Sequence, residues 1–113
     1  MSAAPEPIEV DCDTVHRKQL AGEPFFFLDC REQSEWETAH IEGATLLPMS
    51  ELQARVMELE PYRESELIVH CHHGGRSLRV AMWLRQQGFS KARSMAGGID
   101  DWSVRINPAV PRY

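Results

Sequence analysis

The chain has 113 residues, enough for one domain of ordinary size and too few for two. With 42% hydrophobic and 26% charged residues it can bury a core without disulfides or a structural metal. Its formal charge of -5 argues against nucleic acid or an anionic membrane surface as a partner, and the longest strongly apolar run, Phe25 to Leu28, is far too short to span a bilayer.

Met1 to Pro7 reads as a loose tail with no targeting pattern of basic and then apolar residues. Ile8 to Val10 is expected as an edge strand. Asp11 or Asp13 can cap a helix running to Leu20, with Gly22 as its stop. Phe25-Phe26-Phe27-Leu28 is continuously apolar, which suits a strand covered on both faces and hence a parallel sheet.

Ser34 with Glu37 three residues on is a capping-box pattern that predicts a short helix through about Ala39, followed by a strand from Ala44 to Leu47. Ser50 with Gln53 repeats the pattern. Leu52, Val56 and Leu59 then fall on one face of a helix that Pro61 ends. Leu67-Ile68-Val69 is a further buried strand that runs directly into His70 and Cys71.

From Arg76 or Ser77 to Gln87 the chain lacks glycine and proline and closes on Gly88-Phe89, a helix with a glycine stop. A strand is expected over Ala92 to Met95. Ile99, Trp102 and Ile106 sit at helical spacing beyond Gly97-Gly98, and Asn107 to Tyr113 is expected to be an extended tail. Strands and helices alternating at these lengths imply an α/β fold, with a mostly parallel sheet of about five strands and helices on both faces. Ligands in such sheets bind beyond the carboxyl ends of the strands, where Cys71 lies.

The stretch Val69-His70-Cys71-His72-His73-Gly74-Gly75-Arg76-Ser77 concentrates the chemistry. Its glycines let successive main-chain N-H groups turn into one concavity, and the helix that follows adds its positive end. A free thiol with a pKa of about 8.5 is mostly protonated at neutral pH. A depression of about two units, roughly 2.7 kcal/mol, makes Cys71 a thiolate and therefore a nucleophile. The same cradle can hold an anionic donor, with Arg76 offering a fixed fork of donors.

Cys12, Cys30 and Cys71 contain no C-x-x-C pair, so neither a disulfide framework nor a dithiol motif is indicated, and a reducing, cytoplasmic location is expected. Cys12 and Cys30 lack the glycine loop and cation that surround Cys71, and both read as inert, buried thiols. His70, Cys71, His72 and His73 are adjacent, so their side chains diverge and no metal site or cofactor is expected. His72 and His73 either rim the pocket, where a protonated imidazole attracts an anion, or are solvated loop residues.

These residues resemble a single-domain rhodanese over nearly the whole chain. Cys71 to Arg76 matches that family's C-x-x-G-x-R active loop, with Ser77 following. Asp29-Cys30-Arg31 matches its D-x-R segment, Glu35-Trp36 its acidic-aromatic pair, His40-Ile41-Glu42-Gly43-Ala44 its H-I-x-G-A segment, and Gly97-Gly98 with Trp102 its G-G-x-x-x-W ending. Ala39 in place of a common glycine and Trp36 in place of tyrosine or phenylalanine depart from the pattern away from the nucleophile.

The resemblance implies a three-layer α/β/α fold over residues 1–113. It also implies a sulfurtransferase of the thiosulfate sulfurtransferase type that moves sulfur from an anionic donor to a thiol or cyanide through a persulfide on Cys71. Arg76 and the loop from His72 to Ser77 would bind the donor, with Asp29 and Arg31 as structural support. The tail Ile106 to Tyr113 is similar to the ending of rhodanese domains fused to E1-like activating enzymes of molybdopterin and thiamine biosynthesis, which implies a ubiquitin-like sulfur-carrier protein as a partner.

Two rivals share some of these residues. A cysteine-based phosphatase or arsenate reductase carries a similar His-Cys loop, but four residues separate Cys71 from Arg76, one fewer than a phosphatase loop needs. A non-catalytic binding or sensor module of the same fold has no need of Cys71 and Arg76, and both are present.

Overall fold

The computed structural model describes residues 6–113; the part of the expected N-terminal tail from Met1 to Pro5 lies outside the described residues. The elements follow in the order β1 (Glu9–Val10), α1 (Cys12–Leu20), β2 (Phe26–Asp29), α2 (Gln33–Thr38), β3 (Thr45–Leu46), α3 (Leu52–Arg55), β4 (Leu67–His70), α4 (Gly75–Gln86), β5 (Ala92–Met95) and α5 (Gly98–Arg105). The five strands form one sheet in the order β1-β5-β4-β2-β3, and every pairing is parallel.

β4 lies at the centre, and all four of its residues are buried, which is why Leu67-Ile68-Val69 shows no polar alternation. Successive side chains go to opposite faces. Leu28, Cys30, Val69 and Cys71 join Leu52 of α3 and Val80, Ala81 and Leu84 of α4 in one core. Phe27 and Ile68 join Val15 of α1 and Ile99 and Trp102 of α5 in the other. The sheet is thus sandwiched between two helical layers, as the expected three-layer α/β/α architecture requires.

The chain steps outward from β2 to β3 and then returns to β4 on the other side of β2, so the winding reverses between β2 and β4. Such a reversal opens a crevice at the carboxyl ends of the two strands. Cys30 follows β2 and Cys71 follows β4, and both thiols sit at this point.

Several expectations shift in register. The box that starts α2 is built from Glu32 and Glu35, whose carboxylates each accept from the other's backbone N-H, and not from Ser34 and Glu37. Glu32 is recruited because its carboxylate also accepts from the Ser50 hydroxyl at 2.7 Å, a contact between segments. Ser50 is therefore not a cap for Gln53. The amphipathic helix expected over Leu52 to Leu59 contains only one α-helical turn, α3, flanked by tighter 3-10 turns at Met49–Glu51 and at Val56–Tyr62, the second of which carries Pro61 inside it. α4 ends as expected: Gly88 N-H reaches Arg85 O and Phe89 N-H reaches Leu84 O, with Gly88 at a positive φ. No helix among the described residues is long and apolar enough to cross a membrane.

Candidate active site

β4 delivers Cys71 to the carboxyl edge of the sheet, and the loop then folds back over its sulfur. The N-H groups of Gly74 and Ser77 donate to Cys71 Sγ at 3.1 and 3.3 Å, and the Ser77 hydroxyl oxygen lies 3.4 Å away. The Ser77 hydroxyl is in turn 2.7 Å from that of Ser94 on β5, so two hydroxyls line up behind the sulfur. Gly74 makes this turn possible by adopting φ of +108°, a region that side chains disfavour.

The first turn of α5 anchors the loop from below. Ile99 N-H donates to Cys71 O at 2.9 Å and Asp100 N-H to His72 O at 3.1 Å. Gly98 permits the approach, because a β-carbon there would collide with the carbonyl oxygens of Cys71 and His72.

Cys71 is 1% exposed, a burial that on its own favours the neutral thiol. The Cys30 thiol beside it, followed by the Ser77 hydroxyl and amide and the Gly74 amide, outweigh that burial and push Cys71 down to about 4. The group is a thiolate at neutral pH. Cys12 behaves in the opposite way, pushed up to about 12 by burial, with its sulfur against the carbonyls of Ala96 and Gly98. Cys30 is also pushed up, first by the Cys71 sulfur beside it and then by burial.

Arg76 does not turn its fork toward Cys71. Its two terminal nitrogens meet the two carboxylate oxygens of Glu35 at 2.7 and 2.9 Å, and this pair holds Glu35 down to about 2. The expected direct help from the guanidinium is supplied instead by amides and hydroxyls. Asp29 and Arg31 form a fully buried pair at 2.7 Å. Arg31 also donates to Ala39 O at 2.7 Å, which ties the end of β2 to the far end of α2.

The expected extended tail is docked onto this network. The Tyr113 hydroxyl accepts from Arg31 Nη1 at 2.9 Å and donates to Glu35 Oε2 at 2.7 Å, while its ring stacks on His72 at 3.9 Å with an interplanar angle of 8°. Arg112 pairs with Asp100 at 2.9 Å. His72 is held toward its neutral form by burial first and by His73 second, so it adds no positive charge to the loop, contrary to one of the two expectations for it. His73 is 67% exposed and stands 4.0 Å from Asp100. His70 is fully buried, and neither ring nitrogen has a hydrogen-bond partner. Burial keeps it neutral on the face opposite Cys71.

Tyr113, Ser94 and Cys30 are the members of this site that reading the sequence missed. Tyr113 and Ser94 carry no local signal. Cys30 carries one: Asp29 and His70 close their strands, and each is followed by a cysteine.

Residues 13–105 match the family model described as Rhodanese-like domain. The chain belongs to the rhodanese-like family. A curated relative, "Thiosulfate sulfurtransferase GlpE" of Coxiella burnetii, is 36% identical over 67% of this rhodanese-like chain and 69% of its own length. "Adenylyltransferase and sulfurtransferase MOCS3-2" of Zea mays is 29% identical over 100% of the chain, which corresponds to 24% of that protein. The crystal structure of a rhodanese-related protein from Thermoplasma volcanium superposes with a TM-score of 0.79 at 27% identity, covering 95% of this chain and 100% of that one. Most of the longer relatives extend well beyond the rhodanese-like region: the chain spans between 24% and 50% of the length of the first three.

Proposed function

We propose that this rhodanese-like chain is a sulfurtransferase, acting as one domain over residues 1–113, in which Cys71 carries the transferable sulfur. The observation that carries this reading is a cysteine sulfur held by the Gly74 and Ser77 amides at the switch point of a parallel sheet, an arrangement that favours a nucleophilic thiolate. The thiolate attacks the sulfane sulfur of thiosulfate, whose S-S bond breaks as sulfite leaves. Cys71 then bears a persulfide. Cyanide or a thiolate attacks the outer sulfur, takes it away and returns the Cys71 thiolate.

The loop from His72 to Ser77 receives the donor, and its N-H groups offset the charge of the outer sulfur. Arg76 serves by fixing the loop against Glu35, and Asp29 with Arg31 braces the strand end beneath it. The short span from Cys71 to Arg76 suits a single sulfur atom better than a phosphoryl group, which argues against the phosphatase reading. Donors of the thiosulfate or persulfide type fit this site. A ubiquitin-like sulfur-carrier protein in a reducing, cytoplasmic setting is the protein acceptor we infer, with the tail similarity and the maize relative in support.

The test is mass spectrometry of the chain after incubation with thiosulfate, together with thiocyanate formation on adding cyanide. One extra sulfur, removable by cyanide and absent in Cys71→Ser, is expected. Hydrolysis of a phosphate monoester faster than thiocyanate formation would move the assignment to a phosphatase. Unchanged turnover in Cys71→Ser would remove Cys71 as the carrier, and no turnover in the wild-type chain, with a protein partner still bound by Cys71→Ser, would leave only a binding module.

A further inference from the structure

The second thiol at the site has so far served only to favour the Cys71 thiolate beside it. Asp29 pairs with His70 across the β2 and β4 ladder, and the ladder runs one step further, with Cys30 N-H donating to His70 O at 3.1 Å. Cys30 and Cys71 therefore follow neighbouring positions on adjacent strands. They point to the same face, since both belong to the core that also holds Leu28 and Val69. Parallel strands lie about 4.8 Å apart, inside the roughly 4.4 to 6.8 Å that a disulfide spans between α-carbons.

We propose that Cys30 is a resolving thiol that discharges the Cys71 persulfide when no acceptor arrives, so that the protein has a second activity as a source of hydrosulfide. The proposal rests on the persulfide reading above. The Cys30 sulfur attacks the inner sulfur, Cys71 Sγ, and the Cys30 proton passes to the outer sulfur. The Cys71 Sγ-outer sulfur bond breaks, a Cys30-Cys71 disulfide forms, and HS⁻ leaves through the loop. The outer sulfur takes the electron pair of the broken bond and leaves as sulfide, the Cys30 sulfur is oxidised, and Cys71 Sγ stays at the disulfide level, so no external oxidant enters. A thiol reductant such as glutathione or dithiothreitol returns both cysteines to the starting state.

The strand ladder decides which sulfur is attacked. Cys30 is 0% exposed and follows β2 directly beside Cys71 at the end of β4, so it meets the inner sulfur, whereas an acceptor coming through the loop meets the outer one. Burial also keeps outside thiols from Cys30, so the discharge is intramolecular. Cys12 stands apart, held against Ala96 and Gly98 in the opposite core, and stays free throughout.

The experiment loads the chain with thiosulfate or inorganic polysulfide, removes the excess, omits any acceptor and follows intact mass and hydrosulfide over time. The species with one extra sulfur is expected to give way to one two hydrogens lighter than the unloaded chain, with one equivalent of HS⁻ and a Cys30-Cys71 linked peptide. Denatured thiol counts then fall from three to one. In Cys30→Ser, or Cys30→Ala should the serine chain not fold, the loaded species is expected to live at least tenfold longer and release no HS⁻. A wild-type persulfide as long-lived as that of the variant, or HS⁻ released with all three thiols still free, overturns the resolving role while leaving Cys71 as the carrier. No loaded species in either chain overturns the carrier reading itself and the resolving role with it.

Discussion

The hydroxyl of Tyr113 lies 2.7 Å from Oε2 of Glu35, the same carboxylate whose two oxygens hold the fork of Arg76. It also accepts from Arg31, so a single phenol joins the buried Asp29-Arg31 pair to the Arg76-Glu35 pair of the active loop. Two oppositely paired arginines are thereby held in one network, with the Tyr113 ring as its cover over His72.

Tyr113→Phe keeps the stacked ring and removes the bridge. Losing two charge-assisted hydrogen bonds is expected to cost about 1 to 3 kcal/mol in urea unfolding at neutral pH, most of it from the bond to the buried Arg31, since the bond to Glu35 is exposed. A change within about 0.3 kcal/mol would show that the phenol is incidental and the stacking on His72 is what docks the tail.

Glu35→Gln tests the ion pair through its pH dependence. Arg76 first, and the Tyr113 hydroxyl after burial is offset, hold Glu35 down to about 2 from a reference near 4.5. A depressed carboxylate contributes stability that is complete above its unfolded pKa and is lost as pH falls through the folded one. The wild-type advantage over Glu35→Gln is therefore expected to be on the order of 2 kcal/mol at pH 7 and to shrink steadily below about pH 4. An advantage that does not change with pH would mean that the carboxylate charge contributes nothing.

What could be read from the sequence follows from how local each feature is. The loop at Cys71 was legible because its strand, its glycines and its following helix are consecutive, and each constrains the backbone by itself. The start of α2 was misplaced by two residues because two overlapping capping patterns compete, and a contact from Ser50, far along the chain, selects Glu32. The helix at Leu52 was overestimated because its apolar spacing fits both an α-helix and the tighter turns that Pro61 tolerates. Cys30 and Tyr113 were passed over for a deeper reason. Their roles depend on strand order and on where a tail of prolines returns, and no periodicity encodes either.

The electrostatics of Cys71 lead to a kinetic prediction. A thiolate pushed down to about 4 is fully formed at neutral pH, so the rate of alkylation by iodoacetamide is expected to be flat from neutral pH upward and to fall only in acid. Ser77→Ala removes the hydroxyl behind the sulfur and leaves the amide, so the midpoint is expected to move up, because the anion loses a donor while burial still favours the neutral thiol. A wild-type midpoint near the free-thiol value of about 8.5 would refute the cradle, and a downward move in Ser77→Ala would refute the role of the hydroxyl.

Gly98 offers a test of the loop that leaves every polar group in place. It adopts φ of +60°, and an added β-carbon would overlap the carbonyl oxygens of Cys71 and His72, which accept from the N-H groups of Ile99 and Asp100. These oxygens are backbone and cannot rotate away as a side chain would. Gly98→Ala must therefore either strain α5 or push the Cys71 loop off it. The cost is expected to be about 2 to 4 kcal/mol in unfolding experiments. The alkylation midpoint of Cys71 is expected to rise at the same time, because a displaced loop no longer aims the Gly74 and Ser77 amides at the sulfur. Loss of stability with an unmoved midpoint would show that the loop holds its shape without α5, and that the amide cradle is a property of the residues from Cys71 to Ser77 alone.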